Sequence, residues 1–208
     1  MTSADWDRRY GGAELVWTAS PNRFVEAELT GLAPGRALDL GAGEGRNAVW
    51  LAEQGWRVTA VDFSPVGLAK GRGLAERRGV TVDWVTADLR DHRPAQGAFD
   101  LVLIAYLHMP PEVWSAVLRR AGDALAPGGT LLVVGHDAAN IVDGVGGPQD
   151  PDVLHTPEAV AAELRGLREL PGLRILRAER VRRPVQTQAG VREAIDTLVR
   201  AVRAGHDA

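Results

Sequence analysis

Residues 36–62 read RALDLGAGEGRNAVWLAEQGWRVTAVD, and the fold is decided there. Ala37-Leu38-Asp39-Leu40 is a short apolar run that ends in three closely spaced glycines, Gly41, Gly43 and Gly45. From 47 to 54, Ala48, Leu51 and Ala52 recur at helical spacing, and Gly55 stops the run. Residues 56–61 alternate and carry β-branched side chains, as a strand does, with Asp62 at the end. Strand, tight turn, helix and strand make half of a nucleotide-binding βαβ unit. In such a unit the glycine turn lets backbone N–H groups and a helix N-terminus approach a ligand. A carboxylate ending the second strand accepts hydrogen bonds from a ribose diol.

Glycine spacing separates the candidate nucleotides. A dinucleotide turn uses G-x-G-x-x-G to seat a pyrophosphate, whereas here the third glycine comes one residue early and Asp39 precedes the turn. Carboxylates at Asp39 and Glu44 repel a diphosphate and tolerate the sulfonium and ammonium of S-adenosylmethionine (SAM). The turn resembles motif I of the class I SAM-dependent methyltransferases. The longer run is similar to the subgroup that contains the tellurite-resistance and thiopurine methyltransferase-like enzymes. That resemblance implies a single doubly wound α/β domain with a seven-stranded, mostly parallel sheet. It also implies cofactor contacts from Asp39, Gly41, Ala42, Gly43, Gly45, Arg46, Asn47, Asp62 and Phe63. Two other readings stay open. A nicotinamide-dependent oxidoreductase needs the third glycine one residue later; a catalytically silent SAM-binding or interaction domain keeps Asp39, Asp62 and Asp88 but lacks an acceptor pocket.

With 208 residues, 45% of them hydrophobic and 25% charged, the chain has material for one sizeable core. A formal charge of −3 argues against general affinity for nucleic acid or an anionic membrane surface, so small molecules are the expected partners. Zero cysteines exclude disulfides and thiolate-metal sites, and no ligand spacing for a metal is evident. The start, MTSADWDRRYGG, has no apolar h-region, and no run reaches the roughly 18 apolar residues of a membrane span. A cytoplasmic protein, monomer or homodimer, is expected.

Residues 1–34 precede the first strand. A short helix over 4–10 is broken by Gly11-Gly12, and Ser20-Pro21 has the order that opens a second helix to about Leu32. Trp6, Tyr10 and Trp17 concentrate aromatic rings in this segment. The family resemblance implies that it folds as a lid over the cofactor, with Trp17 near the methyl donor, and that residues 35–208 form the SAM-binding core.

Past Asp62, Ser64-Pro65 reads as N-cap and first turn of a helix to about Gly79, followed by a strand over 80–85. A carboxylate again sits just beyond this strand: Asp88, which in the family pattern meets the adenine amino group, with the N–H of Leu89 on the ring. Residues 99–105 are a near-continuous apolar run, as in a central strand buried on both faces. Ligands of open α/β sheets sit outside the strands' carboxyl ends, which places Tyr106-Leu107-His108-Met109-Pro110 beside the methyl group, with Ala105 and Tyr106 as expected cofactor contacts. The absence of Asn-Pro-Pro-Tyr here removes the signature of base and glutamine methylation and favours a small acceptor. A helix over 111–125, an APGG turn at 126–129 and a strand over 130–135 lead to His136 and Asp137. His108, His136 and Asp137 are the candidate catalytic residues, able to orient an acceptor or act as acid and base. Pocket-shaping by the histidines, with a thiol or chalcogen acceptor that arrives ionised, is the favoured expectation, because no carboxylate is evidently placed to orient His108. The Gly- and Pro-rich loop at 140–152 is a candidate for substrate selection. A helix from Thr156 to Leu170 and a strand over 173–185 follow. Residues 194–203 fit either an amphipathic helix or an antiparallel seventh strand; the strand is favoured.

Overall fold

The computed structural model describes residues 2–167 and 172–205. Helix α1 (Ser3–Tyr10) starts at Thr2, which exchanges hydrogen bonds with Asp5 in a capping box. Helix α2 (Arg23–Leu29) starts later than the Ser20-Pro21 signal, because Asn22 Oδ1 accepts from the N–H groups of both Phe24 and Val25 and so makes the cap.

The core alternates as expected: β1 (Arg36–Leu40), α3 (Arg46–Glu53), β2 (Arg57–Asp62), α4 (Pro65–Arg78), β3 (Asp83–Thr86), β4 (Phe99–Ala105), α5 (Pro111–Ala124) and β5 (Leu125–His136). Helix α4 has the expected Ser64 cap and ends at Gly79 in the left-handed region. Strand β3 is shorter than the 80–85 reading, since pairing with β2 begins only at Thr59↔Asp83. The turn at 126–129 lies inside the bounds of β5. There the register against β4 jumps from Phe99↔Leu125 to Leu101↔Thr130.

After β5 come a short helix α6 (Asn140–Asp143), a 3-10 turn (Pro151–Val153) and α7 (Pro157–Gly166), capped by Thr156. Helix α7 stops short of the expected Leu170, and residues 168–171 lie outside the described residues. Strands β6 (Leu173–Thr187) and β7 (Gly190–Arg203) close the chain, so the ambiguous 194–203 segment is strand.

The sheet order is β3-β2-β1-β4-β5-β7-β6, with β7 antiparallel to both neighbours and the other pairings parallel. Both faces are covered. Leu38, Leu40 and Ile104 pack with α5 and α7, while Leu101, Leu103 and Leu132 pack with α2 and α3. Each such side chain contributes roughly 1.5–3 kcal/mol on full burial. From β1 the chain moves outward to β2 and β3, then returns to the other flank with β4, so the strand order reverses between β1 and β4. Crevices open at such reversals beyond the strand ends. On the same side, β6 and β7 keep pairing up to Thr187↔Gly190, past the last β5 partner at His136↔Asp196.

Candidate active site

At the reversal point, Gly41, Gly43 and Gly45 have φ of +82°, +55° and +75°, a region open to glycine at little cost. Asp39, just below the turn, is 1% exposed, and neither carboxylate oxygen has a hydrogen-bond partner. Burial, and then the nearby Asp62 charge, push its carboxyl up to about 7, with Arg46 acting in the opposite sense. Asp62 is also buried, with Oδ2 accepting from Gly43 N–H at 2.9 Å and Oδ1 from Ser64 N–H at 2.8 Å. Burial raises its pKa and those two amides partly offset the rise. Asp88 stands beyond β3 and forms a bidentate contact with Arg90, Nη2 to Oδ2 being 2.6 Å, which lowers its pKa. Leu89 beside it is buried, and its carbonyl accepts from Arg120.

The N-terminal segment docks on this turn. The Tyr10 hydroxyl lies 2.8 Å from where a Cβ at Gly43 would sit. Glu44, within the turn, is buried and accepts from the N–H groups of Val16 and Trp17, each at 3.1 Å, and from Lys70 Nζ at 3.1 Å. The Trp17 ring is 41% exposed, flanked by the guanidinium groups of Arg9 at 5.2 Å and Arg46 at 5.9 Å. Burial lowers the Arg46 pKa. Asn47, in the first turn of α3, holds the backbone N–H of Asn22 at 2.9 Å. Phe63 joins in through its carbonyl, which accepts from Ser3 Oγ.

The ends of β4, β5 and β7 bring together a second group. The rings of His108 and His136 stack with centroids 5.4 Å apart, as neighbouring strand ends lead one to expect. Tyr106 sits edge-on to His136 at 5.0 Å. His136 Nδ1 stands 3.2 Å from Oδ1 of the fully buried Asp196, at a poor hydrogen-bond angle, and neither atom has another partner. Asp196 Oδ2 accepts from Tyr106 Oη and from Arg183 Nε, both at 2.7 Å. Gly147, from the loop after β5, covers the His136 ring so closely that a Cβ there would lie 2.8 Å from Cδ2. Burial, with His136 as the next cause, pushes His108 down to about 4, and burial does the same to His155, whose ring stacks on Trp114 at 3.9 Å. His108 is therefore neutral at pH 7 and a weak base.

Asp137 is set apart from the two histidines. Its buried carboxylate is committed to the N–H of Ala139, to Thr197 Oγ1 and to Arg180 Nε, which is how it fastens the post-β5 loop to the β6–β7 hairpin. Among the described residues no cluster of three or more metal-ligating side chains occurs, and no helix is long and apolar enough to cross a membrane.

Residues 37–129 match the family described as "Methyltransferase domain". That match, together with the glycine turn and the sheet order, makes the chain similar to class I SAM-dependent methyltransferases. The chain is 38% identical over 125 residues to a demethylmenaquinone methyltransferase of Thermus thermophilus, a match covering 59% of this chain and 55% of that one. It is 31% identical over 121 residues to a 2-heptyl-1-hydroxyquinolin-4(1H)-one methyltransferase of Mycobacteroides abscessus, covering 57% and 53%. The chain thus spans about half the length of these curated relatives. Its fold is shared with TehB from Haemophilus influenzae, at a TM-score of 0.71 and 16% identity over 95% of this chain and 65% of that one.

The methyltransferase domain suits its cofactor at the atoms just described. Two unpartnered carboxylate oxygens on Asp39, beside a turn of left-handed glycines, match a cationic ligand brought close to the backbone. The sequence reading missed Asp196 and Arg183, which lie 60 and 47 residues beyond His136 and reach it only through sheet pairing. The available signal was the polar pair Asp196-Thr197 interrupting the apolar residues of 194–199.

Proposed function

We propose that the chain transfers a methyl group from SAM to the hydroxyl of a small ring compound, with His136 as general base. The single observation carrying this reading is the Asp196 carboxylate facing His136 Nδ1 at the strand ends. The charge of a carboxylate there favours the tautomer with its proton on Nδ1, which leaves Nε2 as the basic nitrogen. This moves the preference from soft, already ionised acceptors to a hydroxyl. The relative named for a 2-heptyl-1-hydroxyquinolin-4(1H)-one supports a hydroxylated ring acceptor, while the one named for demethylmenaquinone supports only a small ring compound.

When bound, SAM supplies a methyl group on a sulfonium that leaves as a neutral thioether with the carbon–sulfur electron pair. Asp39 would face the cation, Asp62 would accept from the ribose hydroxyls and Asp88 would border the adenine. His136 takes the hydroxyl proton on Nε2 as the acceptor oxygen bonds to the methyl carbon. Asp196 balances the imidazolium until the proton passes to solvent. The docked N-terminal segment excludes water, and alignment of the two reactants supplies up to roughly 7–11 kcal/mol in favourable cases.

Two measurements test this reading. SAM and S-adenosylhomocysteine raise the melting temperature and NAD does not, since a ligand at 100 times its Kd stabilises by about 2.7 kcal/mol. Mass spectrometry then detects O-methylation of a 1-hydroxyquinolin-4-one in the wild type and its loss in His136→Gln. A thermal response to NAD alone overturns the cofactor assignment; unchanged turnover in His136→Gln overturns the base.

A further inference from the structure

We infer that Tyr106 is a positioning residue that aims Asp196 at His136, and that Asn22 ties this aim to the docking of the N-terminal segment; the inference rests on the base reading above. Tyr106 is the one non-glycine with positive φ among the described residues, at +56°. An L side chain is held there only where its surroundings over-determine it, and such residues gather at functional sites. Three contacts hold this one: its N–H donates to Val134 O at 2.7 Å, its ring lies edge-on to His136, and the Arg183 guanidinium sits 5.7 Å from the ring centroid.

The direction of each hydrogen bond follows from the donors and acceptors available. Asn22 Oδ1 already accepts from Phe24 and Val25 as the cap of α2, so the amide orientation is settled and Nδ2 faces Tyr106 Oη at 3.3 Å. The amide nitrogen only donates. The tyrosine oxygen therefore accepts from Asn22 and directs its own hydrogen to Asp196 Oδ2, 2.7 Å away. With a second donor from Arg183 Nε on the same oxygen, the carboxylate is pinned, and Oδ1 is left for His136. At the other end, Asn22 N–H is held by Asn47 Oδ1, in the first turn after the glycine loop. The relay thus runs from the cofactor turn through the N-terminal segment to the base.

The groups facing His136 are Tyr106 and His108 after β4, Asp196 on β7 and, through Asp196, Arg183 on β6; His155 acts on His108. Tyr106→Phe removes the hydroxyl and keeps the ring. Asn22→Asp keeps the helix cap and removes the donor.

The test is side-chain nitrogen NMR on histidine-labelled full chain with S-adenosylhomocysteine. In the wild type His136 is a single Nδ1–H tautomer. In Tyr106→Phe the two tautomers mix and the His136 titration midpoint moves, and Asn22→Asp shifts both in the same direction to a smaller extent. With the hydroxyquinolinone acceptor, kcat falls roughly tenfold or more, up to the 10²–10⁴ that a base contributes, while the KM for SAM stays within about twofold. An unchanged tautomer and midpoint in a folded Tyr106→Phe protein overturns the inference. Full turnover in His136→Gln instead sinks the base reading, leaving the NMR result to stand by itself.

Discussion

Asp196 Oδ1 stands 3.2 Å from His136 Nδ1, where antiparallel β7 meets the last residue of parallel β5 in direct register. The pair exists because the chain turns back once, at the seventh strand, and lays an acid from its far end beside the active-site strand. Asp196→Asn keeps the shape and removes the charge. We expect kcat/KM to fall roughly 10²–10⁴-fold, with the rising, acid-side limb of the pH–rate profile displaced to lower pH, since the imidazolium loses its counter-charge. A full pH profile of the variant checks this, and a profile matching the wild type would exclude the pair from catalysis.

Asp39 links cofactor binding to protons. Its carboxyl, pushed up to about 7 by burial and by Asp62, is half protonated at neutral pH in the free protein, and a cationic ligand selects the ionised form. Affinity for SAM is then close to full from about pH 8, about half of that at pH 7, and about tenfold lower at pH 6 than at pH 8. Calorimetry in buffers of different ionisation enthalpy should show about half a proton released at pH 7. In Asp39→Asn the release disappears and binding is weak at every pH.

His108 and His155 make the fold acid-sensitive. Each is held near 4 by burial, below the unfolded value of about 6.5, so the unfolded chain takes up protons first as pH falls. Their neutral burial therefore contributes full stability above pH 6.5, and this is lost progressively between 6.5 and 4. Urea denaturation at stepped pH should show that slope. Replacing His155 with Phe, which retains a ring against Trp114, should flatten part of it.

Glu44 joins the N-terminal segment to the glycine turn. Removing one member of a buried ion pair costs about 3–5 kcal/mol, because the partner charge is left unpaired. Glu44→Ala strands the amides of Val16 and Trp17 and leaves Lys70, which keeps its bond to the Glu14 carbonyl, without a counter-charge, so we expect a loss at the lower end of that range in denaturation. Protease cleavage within 1–34 should quicken. Cleavage and stability equal to the wild type would show that the segment docks by its aromatic rings alone.

The glycine-turn half of the candidate site was legible in the sequence because it is local. Asp39, the glycines and Asp62 fall within 24 residues, and a βαβ unit brings them together by short-range rules of strand, turn and helix. The strand run at 99–105 and the pairing of His108 with His136 followed from parallel neighbours ending on the same side. Helix starts were less secure: Ser20-Pro21 carried the standard signal, yet the side chain that reached the free amides was Asn22.

The acceptor half was decided by tertiary structure. Segment 194–203 has a pattern that serves helix and strand equally, and only antiparallel pairing with β5 chose strand and set Asp196 opposite His136. Asp137, adjacent in sequence to His136, went to the other side because neighbours on a strand face opposite ways. Glu44 sits in the motif itself, but its hold on Val16 and Trp17 depends on a segment nearly 30 residues upstream folding back. Periodicity and glycine spacing carry information over a turn or two of chain. Which distant carboxylate meets which histidine is set by sheet order and register, which no local stretch encodes.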